Sequence, residues 1–166
     1  MAMLPDEREA RFGEITDALA LHQAIEQARA TVSHFSSVFS AQKFKSAPHL
    51  LKVPFVRSGP QGEVCVWSAE VASKYPSPEL HLWLRVHDAL DDVFFAHEVE
   101  APKHFGLAAG DTYVVTADHI DDWMINVDGL VYGAYTLRLQ RDELPELAKA
   151  AFDNYVGVRQ FSTELP

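Results

Sequence analysis

The sequence predicts an α+β domain: a long N-terminal helix and a C-terminal helix packed on a twisted antiparallel sheet of about seven strands, a sheet free to curl toward a barrel. Three observations carry this. Apolar side chains recur every three or four positions from Leu19 to Phe39, the helical period. Between residues 49 and 139 short apolar or alternating runs are bounded by Gly, Pro and Asp, the strand-and-turn pattern. From Asp142 the three-to-four spacing returns.

The elements follow in order. Residues 1–15 are expected to fray. Thr16 is a good N-cap with Asp17 in the first turn, and Leu19, Ile25, Ala28, Val32, Phe35 and Phe39 form one apolar stripe; Thr31-Val32-Ser33 is its weak spot. His49–Arg57 reads as a strand, but Pro54 cannot donate to a ladder, which predicts an edge position or a bulge. A turn at 58–62 leads to a second strand from Val64 toward Val71, closed by Tyr75-Pro-Ser-Pro78. Leu80, Leu82, Leu84 and Val86 alternate with His81, Trp83, Arg85 and His87, as in a half-buried strand. Asp88–Asp92 is a turn and Val93–Val99 its partner strand. Leu107–Asp111 is a tight turn feeding Thr112–Thr116. Asp128-Gly129 favours a type I′ turn, so Trp123–Asn126 and Leu130–Leu139 are read as a hairpin. In the last helix, Leu144, Leu147, Ala148, Ala151, Phe152 and Tyr155 fit the helical template, with Pro145 in the first turn.

Length and composition fit one domain spanning 1–166. The chain has 166 residues, 48% of them hydrophobic and 23% charged, and a domain of this size hides about 70% of its unfolded surface. No apolar run approaches the roughly 18 residues that span a bilayer, and the acidic start lacks the apolar core of a signal peptide. Cys65 is the single cysteine, so no internal disulfide forms. A soluble, cytoplasmic domain is the expectation. The net charge of −10 argues against nucleic acid or an anionic membrane as partner. The charge is uneven: residues 41–60 hold four bases and no acid, whereas residues 88–128 hold ten acids against Lys103, a net of −9.

Catalytic motifs are missing: there is no nucleophile elbow, phosphate loop, dinucleotide fingerprint or zinc-binding spacing. No catalytic residue, metal ligand or cofactor is therefore assigned. Cys65, between two valines, suits a small buried hydrophobe. The densest polar cluster is Asp118-His119-Ile120-Asp121-Asp122-Trp123. Its carboxylates and imidazole suit a hard cation or a hydrolase-like site, yet each has a plainer role. Asp118 fits an N-cap answered by Asp121, while Ile120 and Trp123 face the core. The eight histidines, among them His81, His87, His97, His104 and His119, show no metal-ligand spacing. Trp67, Trp83 and Trp123 with Tyr113, Tyr132 and Tyr135 fill a core, or line an aromatic cleft for a small molecule.

Several segments together resemble the uncharacterised, YegJ-like family DUF2314. They are Ala28–Thr31 with Phe35, Leu51–Phe55, Glu79–Trp83, Pro102, Gly110-Asp111, Ile120–Met124 and Gly133–Arg138, spanning roughly residues 20 to 140. Gly62–Ser77 looks like an inserted strand, and Ala134 stands where the family often has a second glycine. The resemblance implies a fold and no established activity. Small acidic members look similar in kind to bacterial immunity or regulatory domains, which bind a protein rather than turn over a substrate. The expected function is thus a non-enzymatic protein-binding module whose partner is basic, docking on Asp91, Asp92, Asp118, Asp121, Asp122 and Trp123. The alternatives are a metal-binding or hydrolase-like site at Asp118–Asp122 and a small-molecule sensor.

Overall fold

The computed structural model of the chain describes residues 11–57, 64–99 and 111–166. The turn read at 58–62 and the segment with Pro102, His104 and Leu107–Gly110 lie outside the described residues. The architecture is α+β, an open eight-stranded mixed sheet with helices on both faces.

Helix α1, Ala18–Ser40, is capped one residue later than expected: the Asp17 carboxylate accepts from Ala20 N at 3.0 Å. It runs unbroken through Thr31, whose hydroxyl donates back to Gln27 O at 2.8 Å. The buried stripe is Ala24, Ala28, Val32, Phe35 and Val38, while Leu19, from the anticipated stripe, is 67% exposed. Strand β1, His49–Arg57, is central: β3 (Leu80–Leu90) pairs along one side, β6 (Asp122–Val127) and β2 (Val64–Val66) along the other. Pro54 is tolerated in this interior strand because it falls at a junction. The β6 ladder ends at Lys52 and the β2 ladder begins at Phe55, so no partner on that side requires the missing N–H. The expected edge position is therefore corrected.

A register shift between Val86 and Asp88 bends β3 as it pairs with β4 (Val93–Glu98), which pairs in turn with β5 (Thr112–Thr116). A short 3-10 turn, Ala117–His119, leads into β6, and the predicted hairpin joins β6 to β7 (Leu130–Gly133). Asp128 and Gly129 both take positive φ, 51° and 95°, as a type I′ turn requires.

The second half of that hairpin departs from the prediction. The strand ends at Gly133, and Tyr135–Asp142 form helix α2 rather than more strand. Gly133 and Ala134 both sit at positive φ and reverse the chain. The cap comes from elsewhere: the Asp122 carboxylate, thirteen residues upstream, accepts from Tyr135 N at 3.0 Å and Thr136 N at 2.8 Å. Helix α3, Glu146–Val156, buries Phe152 and Val156 but leaves Leu147 98% exposed. At about 100° per residue, Leu147 lies roughly 140° around the helix from Phe152, so it faces solvent and leaves the predicted stripe. Beyond α3, strand β8 (Gln160–Phe161) adds parallel to β7, an element the tail did not announce.

Alternation along the strands sorts the core. Leu51, Val53 and Phe55 of β1, Leu82 and Leu84 of β3 and Trp123 and Ile125 of β6 pack under α1 with Phe35 and Phe94. Leu50, Trp83 and Met124 face the other way, onto Leu137 of α2 and Phe152 of α3. The same parity puts Lys52, His81, Arg85 and Asp122 on this second face. Among the described residues no helix is long and apolar enough to cross a membrane.

Candidate functional site

The second face carries polar groups at depths where a sheet normally holds apolar ones. Lys52 sits in a strand buried on both faces and is itself only 6% exposed. Its strand partners are Trp83 and Asp122. Burial of an ammonium requires compensation, and among the groups that contribute, Thr136 Oγ1 lies 3.4 Å from the Nζ and the Asp122 charge acts on it from the neighbouring strand. Asp122 is fully buried. Beyond the two α2 amides it accepts from Thr136 Oγ1 at 2.6 Å and Trp123 N at 2.9 Å. Burial pushes its carboxyl up from the ordinary carboxylate range, while the Thr136 bonds and the Lys52 charge pull it back down.

Asp121, 5% exposed, precedes β6 and has a different partner. Its backbone N donates to Lys52 O at 2.8 Å, and its carboxylate meets His81 Nδ1 in a short contact that fixes the imidazole's orientation. Beside this dyad opens a cleft of about 310 Å³. Lys52, His81, Asp121, Thr136 and Gln140 form its polar lining, Ile15, Leu21, Ile25 and Pro78 its apolar walls, with Glu14 and Glu79 also lining it. The wall from the N-terminal segment is strapped to α2. Gln140 Nε2 donates to Gly13 O at 2.6 Å, and Thr16 donates through both its N and its hydroxyl to Glu143. Those Thr16 bonds hold the Glu143 carboxyl below its usual range.

The residues singled out in the sequence separate in space. Asp91 and Asp92 are exposed in the β3–β4 turn, and Asp92 O accepts from Ala117 N at 2.9 Å, which brings that turn beside Asp118. Asp121 and Asp122 do not join this exposed group, because one is committed to His81 and the other to the α2 cap. Trp123 is fully buried and donates its indole N–H to Thr31 Oγ1 at 3.0 Å. The six residues named for docking thus fall into an exposed trio, Asp91, Asp92 and Asp118, one cleft residue, Asp121, and two core residues, Asp122 and Trp123. The expected capping box is also absent: Thr116 caps the 3-10 turn without a side-chain bond, and Thr116 Oγ1 lies 3.0 Å from His119 Nδ1. Asp118, His119, Asp121 and Asp122 form no shared ligand set. Among the described residues no three His, Cys, Asp or Glu side chains converge to hold a metal.

The six aromatic residues do not share a cleft either. Tyr113 packs on Phe55, Tyr132 on Phe44 and Tyr135 on Trp123, while Trp67 Nε1 donates to Tyr75 O. Sequence reasoning missed the cleft residues Lys52, His81, Thr136 and Gln140. One signal was present: a lysine inside the apolar run Leu50-Leu-Lys-Val-Pro-Phe-Val56 is out of place in any strand buried on both faces.

Against known families, the model of an "Uncharacterized protein conserved in bacteria (DUF2314)" matches residues 18–160. The chain belongs to the DUF2314 family. Both the cleft and the α2 cap fall almost wholly inside the matched region, Glu14 and Ile15 excepted. This DUF2314 domain is also similar to a putative ankyrin repeat protein of Neisseria meningitidis serogroup B. The two are 26% identical over 149 residues, 83% of this chain and 51% of that protein. The DUF2314 chain thus spans about half the length of the curated relative it matches. No solved structure matches it.

Proposed function

We propose that this domain is a non-catalytic recognition module that holds a protein partner by taking one of its cationic side chains into the cleft. The observation that carries the reading is the lining itself: three carboxylates, Glu14, Asp121 and Glu79, the last 4.0 Å from Arg57, stand against the single ammonium of Lys52, beside apolar walls. Lys52 is offset by Asp122 behind it, so the excess charge facing the cleft is negative. An aliphatic stem along Ile15, Leu21, Ile25 and Pro78 with a positive head at Asp121 is the shape of a lysine or arginine side chain. The net charge of −10 steers such a partner toward the domain, and the exposed Asp91, Asp92 and Asp118 add to that field.

The test is titration with a lysine-containing peptide and with the same peptide carrying norleucine. The lysine form should bind in a salt-dependent manner, and Asp121→Asn should weaken it about 10- to 100-fold, the range for a hydrogen bond to a charged group. Neutralising Asp91 and Asp92 should slow association with a smaller loss. Equal binding of the norleucine peptide, or an unchanged affinity in Asp121→Asn, ends the proposal.

A second reading rests on the His81–Asp121 contact, which orients an imidazole as a general base is oriented. It requires turnover of an ester or phosphoester probe that His81→Ala abolishes while the fold is kept.

A further inference from the structure

A different cavity lies on the same face of the sheet, on the other side of the Lys52–Trp83 pair from the cleft. It measures about 100 Å³, and Leu50, Trp83, Arg85, Met124, Asn126 and Val156 contribute to its lining. Trp83 is 2% exposed, and its indole Nε1 is buried with no hydrogen-bond partner. An indole N–H is only a donor, and buried donors are almost always satisfied. Asn126 does not supply the acceptor, since its amide is engaged at both ends: Nδ2 donates to Gly157 O at 3.1 Å and Oδ1 accepts from Gly129 N at 2.8 Å.

The second polar group is Arg85, which forms no ion pair with any described residue. Across the ladder Arg85 faces His97, and among the described residues no carboxylate lines the cavity. In a chain carrying ten more acids than bases, an exposed guanidinium that pairs with no described carboxylate, beside a buried N–H without an acceptor, places two donors on one small cavity. The remaining described walls, Pro48, Leu50, Val99, Met124 and Val156, are apolar. At about 100 Å³ the space is well below the roughly 300 Å³ at which drug-sized pockets begin, so the occupant is short.

We propose that this cavity binds a small aliphatic monocarboxylate, with the carboxylate between the Arg85 guanidinium and the Trp83 indole N–H and a short hydrocarbon tail on Leu50, Met124 and Val156. Charge-assisted bonds from two donors fix the head, and burial of the tail gives the chain-length preference. The site is independent of the cleft, whose lining has the opposite charge.

The experiment follows the indole ¹⁵N–¹H resonances of the folded protein during titration with sodium acetate, sodium hexanoate and 1-hexanol. Trp83→Phe assigns the relevant peak. Hexanoate should move the Trp83 resonance saturably and bind at least tenfold tighter than acetate, while hexanol leaves that resonance in place. Arg85→Gln changes an exposed side chain and should keep the melting temperature while weakening hexanoate at least tenfold. A Trp83 resonance unmoved by hexanoate, an equal response to hexanol, or full affinity in Arg85→Gln overturns the assignment.

Discussion

Removal of the Asp122 carboxylate tests the central device of this fold, a helix whose cap is donated by a neighbouring strand. In Asp122→Ala, Tyr135 N and Thr136 N lose their acceptor, and the Lys52 ammonium loses its facing charge. An unsatisfied buried amide costs about 1–3 kcal/mol, and breaking a buried charge pair from one side costs about 3–5 kcal/mol. The two overlap, so the expected loss is about 3–5 kcal/mol. For a domain of this length that lowers Tm by about 6–20 °C. Urea unfolding by far-UV circular dichroism measures it directly. Asp122→Asn keeps one acceptor and turns an NH₂ toward a helix amide, so its loss should be smaller. If the charges compensate each other, Lys52→Met combined with Asp122→Asn should be less destabilised than the two single losses added, by at least about 1 kcal/mol. The pH dependence supplies a second readout. Because burial raises the folded-state pKa, the native state holds its proton more tightly, and this group's contribution falls as pH rises above the ordinary value of 3.8. The stability advantage of wild type over Asp122→Asn should therefore shrink with rising pH. A drop in Tm of less than 2 °C for the alanine variant would refute the capping role, since at about 2–4 °C per kcal/mol it corresponds to under 1 kcal/mol.

Four further outcomes are expected. His49 donates through Nδ1 to Ala47 O at 2.8 Å and leaves Nε2 buried without a partner; burial lowers its pKa below 6.5. Stability should accordingly fall as pH drops below 6.5, and His49→Leu should flatten that limb of the urea-midpoint profile. Gly133→Ala should abolish folding or lower stability by more than about 3 kcal/mol, because a Cβ there would lie 2.6 Å from the Trp123 ring at a φ of 71°. Gly157→Ala should lose only about 1–2 kcal/mol, since its φ of 80° is strained but the space is open to 3.9 Å. Leu147→Glu, on a side chain 98% exposed, should shift stability by no more than about 0.5 kcal/mol in the same assay.

What could be read in the residues follows the range of the interactions that decide each element. Helix α1, the β3 alternation and the type I′ turn at Asp128-Gly129 are set by neighbours within a few positions, and their periods appear in the sequence. The step from β7 into α2 is not local. Gly133-Ala-Tyr-Thr-Leu-Arg138 carries strand-forming residues, and the acceptor that makes it a helix belongs to Asp122 in another strand. Leu147 misled in the same way: its spacing fits a helix, but where α3 begins decides which side it presents. Pro54 was read as an edge marker because a sequence does not show where two partner strands meet end to end.

The candidate site was half legible for a related reason. Asp121 and Asp122 stood out as adjacent acids, but their partners lie in distant segments, His81 for one and the α2 amides for the other. One reaches His81 across the cleft, the other holds α2, and composition alone does not separate these duties. His81 and Lys52 carried no motif; they become a site only when β1, lying between β3 and β6, brings them to one face. That placement also explains why the polar row persists. Buried ionic groups rarely add net stability over apolar residues of equal volume, so Lys52, Asp121 and Asp122 are weak candidates for fold-holding alone. Asp122 has a structural duty in capping α2, and Lys52 answers its charge, yet neither role requires Asp121 to orient His81 beside an open cleft. Local conflict with the strand pattern is concentrated where the lining turns negative, and on the far side of Trp83 the conflict has the opposite sign, donors without acceptors. A sheet built only to close a core would need neither, and the two proposals above assign them to recognition on one face, cationic ligands toward Asp121 and anionic ones toward Arg85.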